Sequence, residues 1–193
     1  MNMNKNEKII DKTGGGIVEE IKTIDAETLL VSPLNKEEYI IQDILPIGLH
    51  LFCGASKIGK SWLMLKICLH VSKGEPLWEL QTKQCDVLYL CLEDTMARIQ
   101  SRLFKLTDEA SSSLKFAIST NKISNGLILQ LEQHLKKYPN TQLIVIDTLQ
   151  KIRNQGNDVS YANDYGDISI LKEFADKHKV AVIVVHHIRK HIS

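Results

Sequence analysis

The run Gly54-Ala55-Ser56-Lys57-Ile58-Gly59-Lys60-Ser61 meets every fixed position of the phosphate-binding pattern G-x-x-x-x-G-K-[ST]. It constrains the fold strongly, because such a loop has to join a buried strand to the start of a helix. Both flanks comply. Leu49-His50-Leu51-Phe52-Cys53 reads as a short apolar strand, and Trp62-Leu63-Met64-Leu65-Lys66-Ile67-Cys68 opens a helical pattern. The glycines let the backbone curl and aim N–H groups at phosphate oxygens, and the helix start adds partial positive charge. In that arrangement Lys60 reaches the β and γ phosphates, and Ser61 offers its hydroxyl to a bridging magnesium ion. A plain glycine-containing strand-to-helix turn is the alternative.

The chain has 193 residues, enough for one domain with a substantial core and short for two. Its formal net charge of +1 excludes a global bias toward nucleic acid or membrane, so any such contact has to be local. Cys53, Cys68, Cys85 and Cys91 fall inside apolar patterns without C-x-x-C spacing, which predicts buried free thiols and suits a reducing cytosol. The polar start Met1-Asn2-Met3-Asn4-Lys5 lacks the apolar core of a signal peptide, and no apolar stretch is long enough to span a membrane. Residues 1–16, ending in Gly14-Gly15-Gly16, read as a flexible lead-in, residues 17–193 as a single domain, and the location as cytoplasmic.

The periodicities alternate. Ile21 to Val31 fits a short amphipathic helix, and Pro33 to Gly48 an extended lead into the first core strand. Cys85 to Leu92 is a second continuous apolar run, followed by helical spacing through Met96, Ile99, Leu103 and Leu106. Leu114 to Ser119 predicts a strand, Ile123 to Lys137 a helix, and Leu143 to Ile146 a strand. A polar loop from Lys151 to Tyr161 leads to a helix over about Ala162 to His178 and a last strand, Val180 to Val185. Continuous apolar strands separated by helices predict an α/β fold: a parallel sheet covered on both faces, with reactive groups at the carboxyl ends of its strands.

Candidate chemistry sits at those ends. Leu143-Ile144-Val145-Ile146-Asp147 is an apolar strand closed by an acid suited to holding magnesium, and Thr148 follows it where a second acid would stand. A base for the attacking water must therefore come from elsewhere; Glu93, at the end of Tyr89-Leu90-Cys91-Leu92-Glu93-Asp94, is the choice. Asp94 reads better as an N-cap paired with Arg98 four residues on. His186 and His187 close the last strand, where side chains alternate faces, so one of the pair looks at the nucleotide. His187 and His191 have helical metal-ligand spacing without a third ligand. Lys57, Arg98 and Arg102 are candidate phosphate or base contacts, against the ordinary fate of a solvated charge.

Together these segments resemble the RecA-like ATPases and, within them, the RepA-type hexameric helicases of plasmids, phages and mobile elements. The likeness rests on the loop with its Lys57-Ile58-Gly59-Lys60-Ser61-Trp62 wording, on Val87 to Asp94 with Arg102 following, on Leu143 to Asp147, and on Val184-Val185-His186-His187-Ile188-Arg189-Lys190. The resemblance implies that the loop strand neighbours the His186 strand, then the Asp147 strand, then the Glu93 strand. It implies ATP and Mg2+ as ligands. Gly54, Ala55, Ser56, Lys57, Ile58, Gly59, Lys60, Ser61 and Trp62 would hold the nucleotide, Arg102 would lie against its base, and Ser61 and Asp147 would hold the metal. Glu93 would be the catalytic base, with Lys60 on phosphate and His186 or His187 as γ-phosphate sensor.

Relatives of this kind continue beyond the sensor strand, whereas this chain stops at Ser193, which predicts a domain truncated there and an unpaired loop strand. Of two expected DNA loops, the first has a counterpart in Lys151-Ile152-Arg153-Asn154-Gln155-Gly156-Asn157-Asp158, whose cations suit single-stranded DNA phosphates, although a plain surface loop fits too. The expected function is the magnesium-dependent ATPase core of a RepA-like helicase or DNA-remodelling motor working as a homohexameric ring. The alternative is a nucleotide-binding remnant or regulatory module with little turnover, since no arginine finger is encoded in the chain. A small-molecule kinase fits less well, for want of an acceptor-binding lid.

Overall fold

A computed structural model of the chain describes residues 9–10, 17–18, 21–34, 36–153 and 161–188, with side chains of the last helix from residue 166 onward. Two compact units divide at Lys36 and Glu37. In the first, β1 (Ile9–Ile10) pairs antiparallel with β2 (Ile17–Val18). The helix expected over Ile21 to Val31 is shorter there: α1 spans Ala26–Val31, because the Asp25 carboxylate accepts from the Thr28 N–H at 2.8 Å and so fixes the N-terminus. None of its residues is buried. Most of the expected lead-in, residues 1–8 and 11–16, lies outside the described residues.

The second unit opens with a correction to the expected extended lead. β3 (Tyr39–Ile41) and β4 (Leu45–Pro46) form an antiparallel hairpin. Its turn passes through Asp43 at φ 62°, a left-handed conformation that aspartate tolerates. The hairpin forms because Ile40, Ile41 and Leu45 all enter the core.

β5 (Gly48–Gly54) leads through the loop into α2 (Lys60–Lys73); β6 (Asp86–Cys91), α3 (Met96–Leu106) and β7 (Leu114–Ala117) follow. The helix expected from Ile123 is divided. A 3-10 turn over Ile123–Asn125 ends at Gly126, whose φ of 99° breaks the α geometry, and α4 runs over Leu127–Lys137. Next come β8 (Thr141–Asp147), a short helix α5 (Leu149–Ile152), α6 (Tyr161–His178) and β9 (Ala181–His187). α5 takes up the first residues of the expected polar loop, Lys151 and Ile152, because Ile152 is fully buried.

The five core strands form one parallel sheet in the order β5-β9-β8-β6-β7, with β5 and β7 as its edges among the described residues. Leu143 to Ile146 and Ala181 to Val185 are buried on both faces, as a sheet covered by helices requires. The two-residue period divides them. Val87, Tyr89, Cys91, Leu143, Val145, Ile183 and Val185 pack with Met64, Leu65 and Cys68 of α2. Leu88, Leu90, Ile144, Ile146, Val182 and Val184 pack with Leu127, Leu131, Leu171 and Phe174 of α4 and α6. This parity decides which terminal side chain faces the loop helix. Asp147 and His187 follow the α2 face, and His186 the other.

Cys68, Cys85 and Cys91 are buried thiols, whereas Cys53 is exposed, because it alternates outward on the edge strand β5. Burial pushes the Cys85 thiol up to about 11 and raises Cys68 and Cys91 as well. In the folded protein a thiol reagent at pH 8 should therefore label Cys53 alone, and all four cysteines only in denaturant. Mass spectrometry of the labelled protein checks it; labelling of Cys85 at the Cys53 rate would contradict it. Among the described residues no helix is long and apolar enough to cross a membrane.

Candidate active site

The loop between β5 and α2 turns through left-handed backbone at Lys57 (φ 65°) and Gly59 (φ 93°), the second a conformation that glycine reaches without strain. α2 then starts at Lys60 with no side-chain cap hydrogen bond, so its first N–H groups have no side-chain acceptor. Uncapped donors together with the helix dipole suit an anion. Lys57, Gly59, Lys60, Ser61, Trp62, Arg102 and His187 line a cleft of about 250 Å³ here. Ile58 stands well exposed on the loop.

Lys60 is only 5% exposed, and its ammonium donates to the carbonyls of Gly54 (2.8 Å) and Ala55 (2.6 Å). Its third neighbour is His187 Nδ1 at 3.2 Å. An ammonium has donors only, so Nδ1 is the accepting nitrogen and the neutral ring carries its proton on Nε2. That nitrogen lies 3.7 Å from Glu93 Oε2. Ser56 Oγ is also 3.2 Å from Nδ1. Glu93 Oε1 in turn accepts from Thr148 Oγ1 at 3.1 Å, and Thr148 is fully buried. Loop, base candidate and sensor candidate are thus joined side chain to side chain.

Asp147 is 5% exposed at the end of β8, and its following peptide bond to Thr148 is cis. Its Oδ2 accepts from the Tyr89 hydroxyl at 3.0 Å, and the same hydroxyl lies 3.3 Å from the Ser61 carbonyl oxygen. Burial and the Asp147 charge raise the Tyr89 phenol far above its ordinary range, so it stays protonated and donates. Ser61 and Asp147 present only hard oxygen donors, the set that Mg2+ prefers. An uncapped helix start that opens on the cleft, next to such a carboxylate, fits a magnesium triphosphate. No cluster of three or more histidine, cysteine or acidic side chains suited to another metal occurs among the described residues.

The remaining candidates separate. His186 lies on the opposite sheet face, where its Nδ1 is 3.2 Å from Gln150 Nε2. Arg102 lies 5.6 Å from the centroid of the Trp62 ring and is ion-paired with Asp94, which also holds Arg98 at 3.0 Å. Asp94 is not the cap of α3: Thr95 takes that place, its hydroxyl accepting from the Arg98 N–H at 3.3 Å, because Asp94 turns its carboxylate to the two arginines. Of the expected DNA loop, Lys151, Ile152 and Arg153 are described and residues 154–158 lie outside the described residues, as does His191.

Tyr89 and Thr148 were not among the expected site residues. A tyrosine in a buried strand needs a partner for its hydroxyl, which was the available signal. A family model described as an AAA domain matches residues 18–192 of the chain. No curated protein matches it.

Proposed function

Since the chain belongs to the AAA domain family of P-loop ATPases, we propose that it is the magnesium-dependent core of a RepA-like DNA helicase or DNA-remodelling motor. The supporting observation is the convergence of Lys60, His187, Glu93 and Asp147 at the carboxyl ends of four adjacent parallel strands and the helix that follows the first of them.

In this reading the loop N–H groups and Lys60 bind the phosphates, and Ser61 and Asp147 hold magnesium. Bound magnesium would supply charge neutralisation across the phosphate oxygens. Glu93 takes the proton of the attacking water on Oε2, because Thr148 already occupies Oε1. His187 stands between Lys60 and Glu93 and senses the γ phosphate through the nitrogen that Lys60 now faces. Trp62 and Arg102 flank the cleft as a platform for the base, with Asp94 keeping the guanidinium in place. Residues 17–193 act as the ATPase domain behind the lead-in 1–16. The segment Lys151 to Asp158 meets single-stranded DNA, and six copies form a cytoplasmic ring.

Steady-state ATP hydrolysis with and without single-stranded DNA tests this. Turnover that rises several-fold with DNA supports the motor. Nucleotide binding with negligible turnover under both conditions would replace it by a nucleotide-holding module.

A further inference from the structure

We propose that Tyr89 is a positioning residue that sets the metal affinity of Asp147; this inference rests on the reading of Asp147 as the magnesium-holding acid. Tyr89 stands on the α2 face of β6 and is 2% exposed. Its hydroxyl has one proton and two acceptors within reach, Asp147 Oδ2 at 3.0 Å and the Ser61 carbonyl at 3.3 Å. The carboxylate takes the proton, because a charge-assisted bond is the stronger and here also the shorter. One neutral phenol therefore ties the end of β8 to the first turn of α2, the two elements that carry the proposed metal ligands.

Neutrality of the donor is the point. A carboxylate this buried needs a hydrogen-bond donor, and a lysine or arginine in that place would cancel the charge that a divalent cation requires. Among the described residues no lysine or arginine pairs with Asp147. Oδ1 accepts no hydrogen bond there either, so Tyr89 occupies one oxygen and leaves the other. Partners of this kind, behind a metal ligand, typically set metal affinity by about 10- to 100-fold.

The test is binding, read by titrating a fluorescent ATP analogue into the full chain with magnesium and with EDTA. The quantity of interest is the ratio of the two dissociation constants. Tyr89→Phe keeps the ring, which packs 6.0 Å from Phe116 between centroids, and removes only the hydroxyl. Tyr89→Met is the second variant and removes the same donor. Asp147→Asn marks the full loss of the metal contribution. We expect the magnesium-dependent gain to fall by about 10- to 100-fold in both Tyr89 variants, with the EDTA constant unchanged; a purely structural role would weaken both constants together. A wild-type ratio in Tyr89→Phe or Tyr89→Met, with the ratio lost in Asp147→Asn, overturns the inference and leaves the metal assignment standing. A wild-type ratio in Asp147→Asn overturns the assignment and the inference with it.

Discussion

Glu93→Gln should lower ATP turnover by about 10²- to 10⁴-fold, the usual contribution of a positioned general base, while ATP binding stays within about twofold of wild type. Glutamine keeps the shape of the side chain and an oxygen able to accept from Thr148 Oγ1, now 3.1 Å from Glu93 Oε1. It cannot take a proton from water. The substitution therefore removes the chemistry and spares the loop, in which Lys60, Gly54, Ala55 and Ser56 do not use Glu93. Single-turnover hydrolysis and titration with a fluorescent ATP analogue separate the two effects. Turnover at the wild-type rate would move the base elsewhere and leave Glu93 as the partner that orients the His187 ring across 3.7 Å.

The core was legible because it is written in long runs. Leu143 to Ile146 and Val180 to Val185 are too apolar and too β-branched for a half-exposed strand, and each is followed or preceded by a helical period. The strand order β5-β9-β8-β6 agrees with what the resemblance to RecA-like ATPases implied. The β3–β4 hairpin was not legible. Its strands are three and two residues long, too short for a period to register, and it is held by Ile40, Ile41 and Leu45 packing on distant parts of the chain. Cys53 failed for a related reason: the apolar run around it reads as buried, but β5 lies at the sheet edge and turns that thiol outward.

Within the site, local sequence named the residues at strand ends but not their partners. Which histidine faces the loop depends on parity counted from the core, where Val185 packs toward α2 and Val184 toward α6. Tyr89 meets Asp147 because β6 and β8 pair with Tyr89 opposite Val145 and Cys91 opposite Asp147, which puts the phenol one step back on the same face. A register between strands separated by α3, β7 and α4 has no local signature. The Thr148–Glu93 bond likewise joins the ends of those two strands. Residues that act through a neighbour are thus harder to read than residues that meet the ligand, since spacing within one segment says nothing of the other.

Lys60→Ala should weaken ATP binding by roughly 10- to 100-fold, with turnover falling in proportion to the bound fraction at subsaturating ATP. A hydrogen bond to a charged group contributes about 1.5–3 kcal/mol, and each 1.4 kcal/mol is about tenfold in affinity. The ammonium also organises carbonyls of its own loop, since it donates to both Gly54 and Ala55. Its removal leaves those two acceptors and His187 Nδ1 without that donor in a position only 5% exposed. Lys60→Met, which keeps most of the buried stem and loses the ammonium, separates packing of the stem from what the ammonium does. If the ammonium dominates, through phosphate and loop carbonyls together, Met and Ala weaken binding alike; if packing of the buried stem dominates, Met restores most of the affinity. Calorimetric titration of both variants reads the difference directly. Wild-type affinity in Lys60→Ala would mean that the uncapped first turn of α2 holds the phosphates unaided.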